Sequence, residues 1–239
     1  MQSVSNTYIS IVAGNHWFET KLDIDGVGTF NESQIFEIQT NHSMFGNAPA
    51  VGAAIAGEID IKMLYPSVEI PPMACLRPYV RARNATQTSE WIPQGVYFID
   101  TRERTVDDTG LSFLTIHGYD AMLKAEVLFH SDQITTTTTD AIMVKHIAKQ
   151  MGLWTTRWQD GVDERTFDII NFDYNIPLPT GYTFREVLGY IAGMYGGSFI
   201  MSDEGKLRLV TMYELPTETN FLIDSSGYRI TFGGTRIYV

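Results

Sequence analysis

Between Gly95 and Leu123 apolar and polar residues trade places quickly through Val96, Phe98 and Thr101, and then Leu111, Phe113, Thr115 and His117 recur at every second position. Period-two exposure of this kind belongs to strands. Asp107, Asp108, Thr109 and Gly110 separate the two runs. Acidic side chains brace tight turns and glycine accepts positive φ, so the stretch predicts a hairpin from Gly95 to Gly118. The second strand is expected to stop at Gly118, with Asp120 capping a short helical turn of Ala121, Met122, Leu123 and Lys124.

Upstream, Tyr8 to Ala13 and Trp17 to Ile24 read as an opening hairpin that turns at Gly14-Asn15. Ile35 to Thr40 alternates like a strand, and Gly46 to Gly57 reads as a small-residue loop feeding the alternating strand Glu58 to Leu64. Another strand is expected over Ala74 to Ala82, where Pro78 places it at a sheet edge or bulge. Asn84 to Glu90 is a polar loop.

Downstream, Thr135 to Thr139 predicts an extended lead into a helix capped by Asp140. Its apolar face is Ile142, Met143, Ile147 and Met151, widened by Val144 and Ala148, and Gly152 supplies the stop. Thr183-Phe184-Arg185-Glu186 matches a capping box. Phe184, Val187, Leu188, Ile191, Ala192 and Tyr195 then form one stripe that must rest on a sheet. The nearest candidate is the hairpin of Ser198 to Ser202 and Lys206 to Met212. Gly189 and Gly193, four apart on that helix, invite a close backbone approach. Phe221 to Ile223 and Tyr228 to Phe232 suggest two more strands, and Thr235 to Val239 stays strand-like, as if to pair with something else or to continue.

The chain has 239 residues, 44% of them hydrophobic and 12% aromatic, which is enough for a real core and favours a β-rich α+β fold. A formal net charge of −11 argues against nucleic-acid binding through phosphates, which depends on clustered Lys and Arg. Arg77, Arg81 and Arg83 are the densest basic group; alternation on a solvated strand or a subunit contact accounts for them better than an anion site. Cys75 is the only cysteine, so no intrachain disulfide or cysteine-based zinc site can form, and it reads as a small buried residue. No apolar run is long enough to span a membrane and Met1 to Gly14 lacks the pattern of a signal peptide, which predicts cytosolic synthesis and no stable membrane insertion. The sequons at Asn31, Asn41 and Asn84 are then coincidental.

The search for chemistry returns little. Gly26 and Gly28 lack the third glycine and the following helix of a dinucleotide loop, and Asp23 and Asp25 do not fit a calcium loop. His16, His42, His117, His130 and His146 are scattered singly, with His146 read as a surface or boundary residue. Ser112, His117 and Asp120 supply the residue types of a triad but lie on a strand end, pointing different ways. Trp154, Trp158, Asp160, Asp163 and Glu164 offer the aromatics and carboxylates of a glycosidase without a spacing that sets two carboxylates across a bond. A carbohydrate- or receptor-binding module would need Trp91, Trp154 or Trp158 as an exposed platform, and core roles account for them better. No set of residues qualifies as a catalytic, cofactor or metal site, and no cofactor is expected.

Two ordered blocks carry a resemblance: the hairpin with QGVYFIDT from Gln94 and LTIHGYDAML from Leu114, and TFREVLGYIAGMYGGSFIMSDEGKLRLV from Thr183. Together they resemble the hub proteins of phage tails, more narrowly the prophage tail hub or tail-associated proteins of Gram-positive bacteria, over a span from Ala50 to Val210. The resemblance implies two β-barrel-like hub domains, residues 1–134 and 135–239, with the helices from Asp140 and Thr183 in the second, whose last strand is expected either to pair with something else or to be a point of truncation. It further implies a homotrimeric ring at the virion tail tip that caps the tail tube and lets DNA pass without binding it specifically. The expected partners are the tail tube or distal tail protein and tail-tip or spike proteins. A non-enzymatic role follows, the alternatives being a glycan-processing enzyme and a receptor-binding tail module.

Overall fold

A computed structural model describes residues 4–43, 51–130, 134–153 and 161–212, together with the backbone of 231–232 and 235–236. The chain opens on a helix, α1 (Asn6–Val12), in place of the first strand of the expected hairpin. Its β-branched residues favour a strand locally, but the Ser5 side chain accepts from Tyr8 N at 3.1 Å and caps a helix instead. Glu90, 85 residues away, accepts from both Ser5 N and Ser5 Oγ and fixes that cap. A tertiary contact overrides local propensity here.

Eight strands then form one antiparallel sheet: β1 (Trp17–Ile24), β2 (Gly28–Asn31), β3 (Ile35–Asn41), β5 (Glu58–Leu64), β6 (Cys75–Arg83), β7 (Ile92–Pro93), β8 (Tyr97–Val106) and β9 (Ser112–Asp120). The strand order is β2-β1-β6-β8-β9-β5-β3, with β7 paired to β6. The strands at the two ends, β2 and β3, follow each other in sequence. Four residue steps from Asn31 to Ile35 span at most about 14 Å, whereas six strand spacings in a flat sheet would hold the edges roughly 29 Å apart. The sheet must therefore curl. Its ladder stays open, since no hydrogen-bonded pairing joins β2 to β3 among the described residues. The curl encloses Leu22, Ile24, Ile59, Ile61, Met63, Leu76, Tyr97, Ile99 and Ile116.

The hairpin expected between Gly95 and Gly118 is β8 and β9. Asp107 Oδ1 accepts from Thr109 N and Leu111 N, both at 2.9 Å, and Gly110 has φ +87°. β9 runs two residues past Gly118, because Tyr119 and Asp120 still pair with Phe98 and Tyr97. Pro78 lies inside the sheet, not at an edge. Its carbonyl accepts from Gln94 N at 2.9 Å, between the short β6–β8 pairing and the β6–β7 pairing. The missing N–H thus falls where the ladder changes partner.

A second core begins at the 3-10 turn Ala121–Glu126, capped as expected by Asp120, and continues through β10 (Thr138–Thr139), α2 (Asp140–Gln150), α3 (Arg165–Ile169), β11 (Asn175–Ile176), α4 (Phe184–Met194), β12 (Gly197–Met201) and β13 (Leu207–Thr211). α2 ends in a Schellman arrangement, with Leu153 N bonded to Ala148 O and Gly152 N to Lys149 O around Gly152 at φ +72°. Its start differs from expectation. Thr139 occupies the cap position, and Asp140 is fully buried, accepting from Ala141 N at 2.7 Å and from the Tyr195 hydroxyl at 2.5 Å. Ile142 faces solvent, and His146 is buried with Nε2 3.1 Å from His130 O, so it is neither a surface nor a boundary residue.

α4 matches its sequence signature. Thr183 Oγ1 accepts from Glu186 N at 3.2 Å and Glu186 Oε2 accepts from Thr183 N at 2.7 Å, closing the capping box. All six residues of its stripe are buried, and β12 lies beneath them. Thr183→Ala is expected to lower stability by about 1 kcal/mol in urea unfolding, with the chain otherwise unchanged.

The expected loop from Gly46 to Gly57 holds a strand, β4 (Ala53–Ala54), which pairs parallel with β12 at Ser198 and Phe199 and gives the three-stranded sheet β13-β12-β4. Gly52 reaches α4 closely enough that a Cβ on Gly189 would stand 2.7 Å from Gly52 O. The class is thus α+β and dominated by sheet; no closed barrel is present among the described residues. The expected strand Phe221 to Ile223, most of Tyr228 to Phe232, and the segment Trp154 to Asp160 lie outside those residues. Thr231–Phe232 (β14) pairs with Thr235–Arg236 (β15).

Candidate functional site

The residues singled out for chemistry do not converge. Ser112 and Asp120 stand at opposite ends of β9, roughly 26 Å apart for eight strand steps. His117 Nδ1 lies 2.8 Å from Asp60 Oδ1, away from both. Asp163 is buried and accepts from Arg165 Nε at 3.0 Å, Arg165 NH2 at 2.7 Å and Arg165 N at 3.1 Å. Hydrogen bonding to Arg165 holds its carboxyl below the ordinary aspartate range, the opposite of what a glycosidase acid requires. Trp154, Trp158 and Asp160 lie outside the described residues. Trp91 is half-buried, with the Arg81 guanidinium 4.2 Å and the Lys21 ammonium 5.4 Å from its ring centroids. No group of three or more His, Cys, Asp and Glu is placed to hold a metal among the described residues. In the same set no helix is long and apolar enough to cross a membrane.

The basic group of β6 pairs within the chain. Arg81 and Arg83 both reach Glu19 across the β1–β6 ladder, with Arg81 Nε to Glu19 Oε2 at 2.6 Å and Arg83 NH1 to Glu19 Oε1 at 2.7 Å, and Arg77 pairs with Asp25. Alternation on a solvated strand is what the structure shows. Cys75 beside them is half-buried, and loss of solvent pushes its thiol pKa up.

What the fold does concentrate is a polar joint between its two cores. Asp120 ends β9 and is almost fully buried. Its Oδ2 accepts from Gly57 N at 2.6 Å and its Oδ1 from Met122 N at 2.9 Å, so one carboxylate ties the entrance of β5 to the 3-10 turn. Burial raises its pKa to about 6, against the pull of those two N–H groups and of His42 and Arg185. Tyr97, opposite Asp120 in the ladder, donates its hydroxyl to Gln94 O at 3.0 Å and lies 2.5 Å from His42 Nε2. Burial, and then the Asp120 charge, push its pKa up.

Arg185 of α4 completes the joint. It donates to Ala54 O at 2.7 Å and Met122 O at 3.3 Å and forms an ion pair with Glu126 at 2.6 Å. Gly95 N bonds to Asp203 O at 3.1 Å, and Lys124 sits 4.1 Å from the Phe98 ring centroid. Sequence reasoning found Asp120 as a cap. It missed His42, Tyr97 and Arg185, whose meeting depends on contacts 55 to 131 residues apart.

The fold as a whole is similar to that of solved tail proteins. The 43 kDa tail protein of prophage MuSo2 from Shewanella oneidensis superposes with a TM-score of 0.54 at 14% identity, over 87% of this chain and 59% of that one. The tail protein from Neisseria meningitidis MC58 superposes with a TM-score of 0.52 at 12% identity, over 87% of this chain and 56% of that one. The chain thus spans less than two thirds of the length of either. No protein-family model and no curated protein sequence matches it.

Proposed function

We propose that this protein is a structural subunit of a phage-type tail, the hub that caps the tail tube and connects it to the tail tip. The observation that carries the reading is the likeness of fold to two tail proteins, one of them from a prophage, across 87% of the chain. Two cores support a division into hub domains 1–134 and 135–239, in which Ala54, Ala121, Met122, Ala125, Phe129 and Ile134 cross over to pack in the second. In the proposed assembly three copies close a ring, neighbouring copies complete the open barrels, and DNA passes through a lumen lined by acidic surface. Cyclic closure would cover free edges such as those of β2 and β3. The tail tube or distal tail protein would bind one side and tail-tip or spike proteins the other, in the virion tail.

Light scattering over a concentration series is expected to give three times the chain mass. A strict monomer that hydrolyses peptidoglycan, with the activity lost on Asp160→Ala or Glu164→Ala, would overturn the structural role. A neutral or basic channel in the assembled ring would sink the acidic lumen.

A further inference from the structure

The six arginines other than Arg102 and Arg104 whose side chains are described each lie within 4.0 Å of a carboxylate: Arg77, Arg81, Arg83, Arg165, Arg185 and Arg208. In a chain of net charge −11 this is the expected condition. Arg102 and Arg104 depart from it, with no carboxylate in ion-pair range among the described residues.

A β-bulge accounts for where they stand. The β8–β9 register slips between Ile99 and Thr101, and beyond it Arg102 pairs with Ile116 and Arg104 with Leu114. Cross-strand partners share a sheet face, and Ile116 and Leu114 are core residues. Without the extra residue at Asp100, Thr101 and Glu103 would follow Tyr97 and Ile99 on that inner face. The bulge turns two guanidinium groups there instead, at the rim of the curl, and bulges commonly serve to re-aim side chains in this way.

The rim there is a cavity of about 430 Å³, walled by Tyr65, Pro66 and Val68 and floored by Ile70 and Leu114, with Arg102 and Arg104 on one side. Arg102 NH1 donates to Ile70 O, which anchors the loop. The Arg104 guanidinium lies 4.5 Å from the Tyr65 ring centroid and gives one N–H to Ser112 Oγ at 3.1 Å. Most of their ten N–H donors stay open. Glu69 also lines the cavity without reaching ion-pair distance of either arginine.

We propose that this cavity binds a segment of a partner protein in which an aspartate or glutamate is flanked by apolar residues. The carboxylate meets the two guanidinium groups in the forked geometry arginine favours, and the apolar neighbours cover Tyr65 and Val68, which are 46% and 52% exposed. The volume suits one or two side chains. The inference rests on these residues alone and stands apart from the tail assignment.

The test is an NMR titration of the full chain with the peptide acetyl-Leu-Glu-Leu-Asp-Leu-amide, with its uncharged counterpart acetyl-Leu-Gln-Leu-Asn-Leu-amide, and with inorganic phosphate. The acidic peptide is expected to shift the resonances of Tyr65 to Ile70 and of Arg102 to Arg104. Arg104→Gln and added salt should each weaken binding by about tenfold or more. Arg104 is exposed, so the variant should keep resonances away from the cavity in place. Equal binding of the uncharged peptide, undiminished binding by Arg104→Gln, or no shift with the acidic peptide overturns the proposal. So does a response to phosphate alone, which would make this a site for free oxyanions. A fall in molar mass on Arg104→Gln would assign the contact to a second copy and overturn the partner assignment.

Discussion

Gly189→Ala is expected to lower the stability of the protein by about 2 kcal/mol or more, although alanine is the better helix former by about 1 kcal/mol. The reason is distance. An alanine Cβ at position 189 would stand 2.7 Å from Gly52 O, a backbone atom that cannot rotate away, and Gly52 is itself held at φ +83°. To relieve the clash, β4 must lift off α4, which disturbs its pairing with β12 and the Arg185 bond to Ala54 O. Gly193 provides the control on the same helix. A Cβ there meets Gly52 Cα at 3.5 Å, an ordinary contact, so Gly193→Ala should gain up to about 1 kcal/mol. Urea midpoints of the two variants should therefore move in opposite directions. If both rise, Gly52 does not pack on α4 as described.

The second large effect is expected at Asp120. Asp120→Ala leaves two buried N–H groups, those of Gly57 and Met122, without their acceptor. At about 1–3 kcal/mol for each orphaned donor, the loss is roughly 2–6 kcal/mol. Ionisation adds a pH signature. The folded-state pKa of about 6 lies above the ordinary aspartate value of 3.8, so the folded chain binds this proton more tightly than the unfolded chain does. The stability it contributes is fully present below about pH 4 and is lost as pH rises through 6, an amount on the order of 3 kcal/mol. Carboxylates with lowered pKa, such as Glu19, Asp23 and Asp163, act in the opposite direction but at more acid pH. Urea unfolding between pH 4.5 and 7.5 should thus show the wild type losing stability with rising pH and Asp120→Asn showing a flatter profile. Equal slopes in the two proteins would mean that Asp120 is not the titrating group.

Where the sequence read correctly, the information was local. The capping box of Thr183 and Glu186, the stripe of α4, the Asp107 to Gly110 turn and the Asp120 cap each lie within a dozen residues, and the physics that selects them acts at that range. The failures mark the places where distant groups decide. α1 has strand composition, yet Ser5 and Glu90 make it a helix. Ala53-Ala54 has nothing strand-like about it, and becomes a strand because β12 offers an edge and two glycines of α4 leave room. His146 sits between two lysines on α2 and is buried because His130 and Phe129 cover it. Charge density was read correctly at Arg77, Arg81 and Arg83, whose alternation on a solvated strand spoke against an anion site and whose carboxylates lie on β1 and the turn beyond it. The arginines without such partners, Arg102 and Arg104, drew no notice because a bulge, invisible to composition, decides which face they take.

The pairing of β4 with β12 also sets a timetable for synthesis. Ala53 leaves the ribosome about 145 residues ahead of its partner Ser198, which at a typical rate of about 5–20 residues per second is a delay of roughly 7–30 s. The curled sheet has every strand it needs once Asp120 has been made, so it can form early in that interval while the Gly52 to Ile55 stretch remains an unclaimed edge. The nascent chain thus carries a vacant docking strand until α4 and β12 emerge, and the length of that wait is built into the topology.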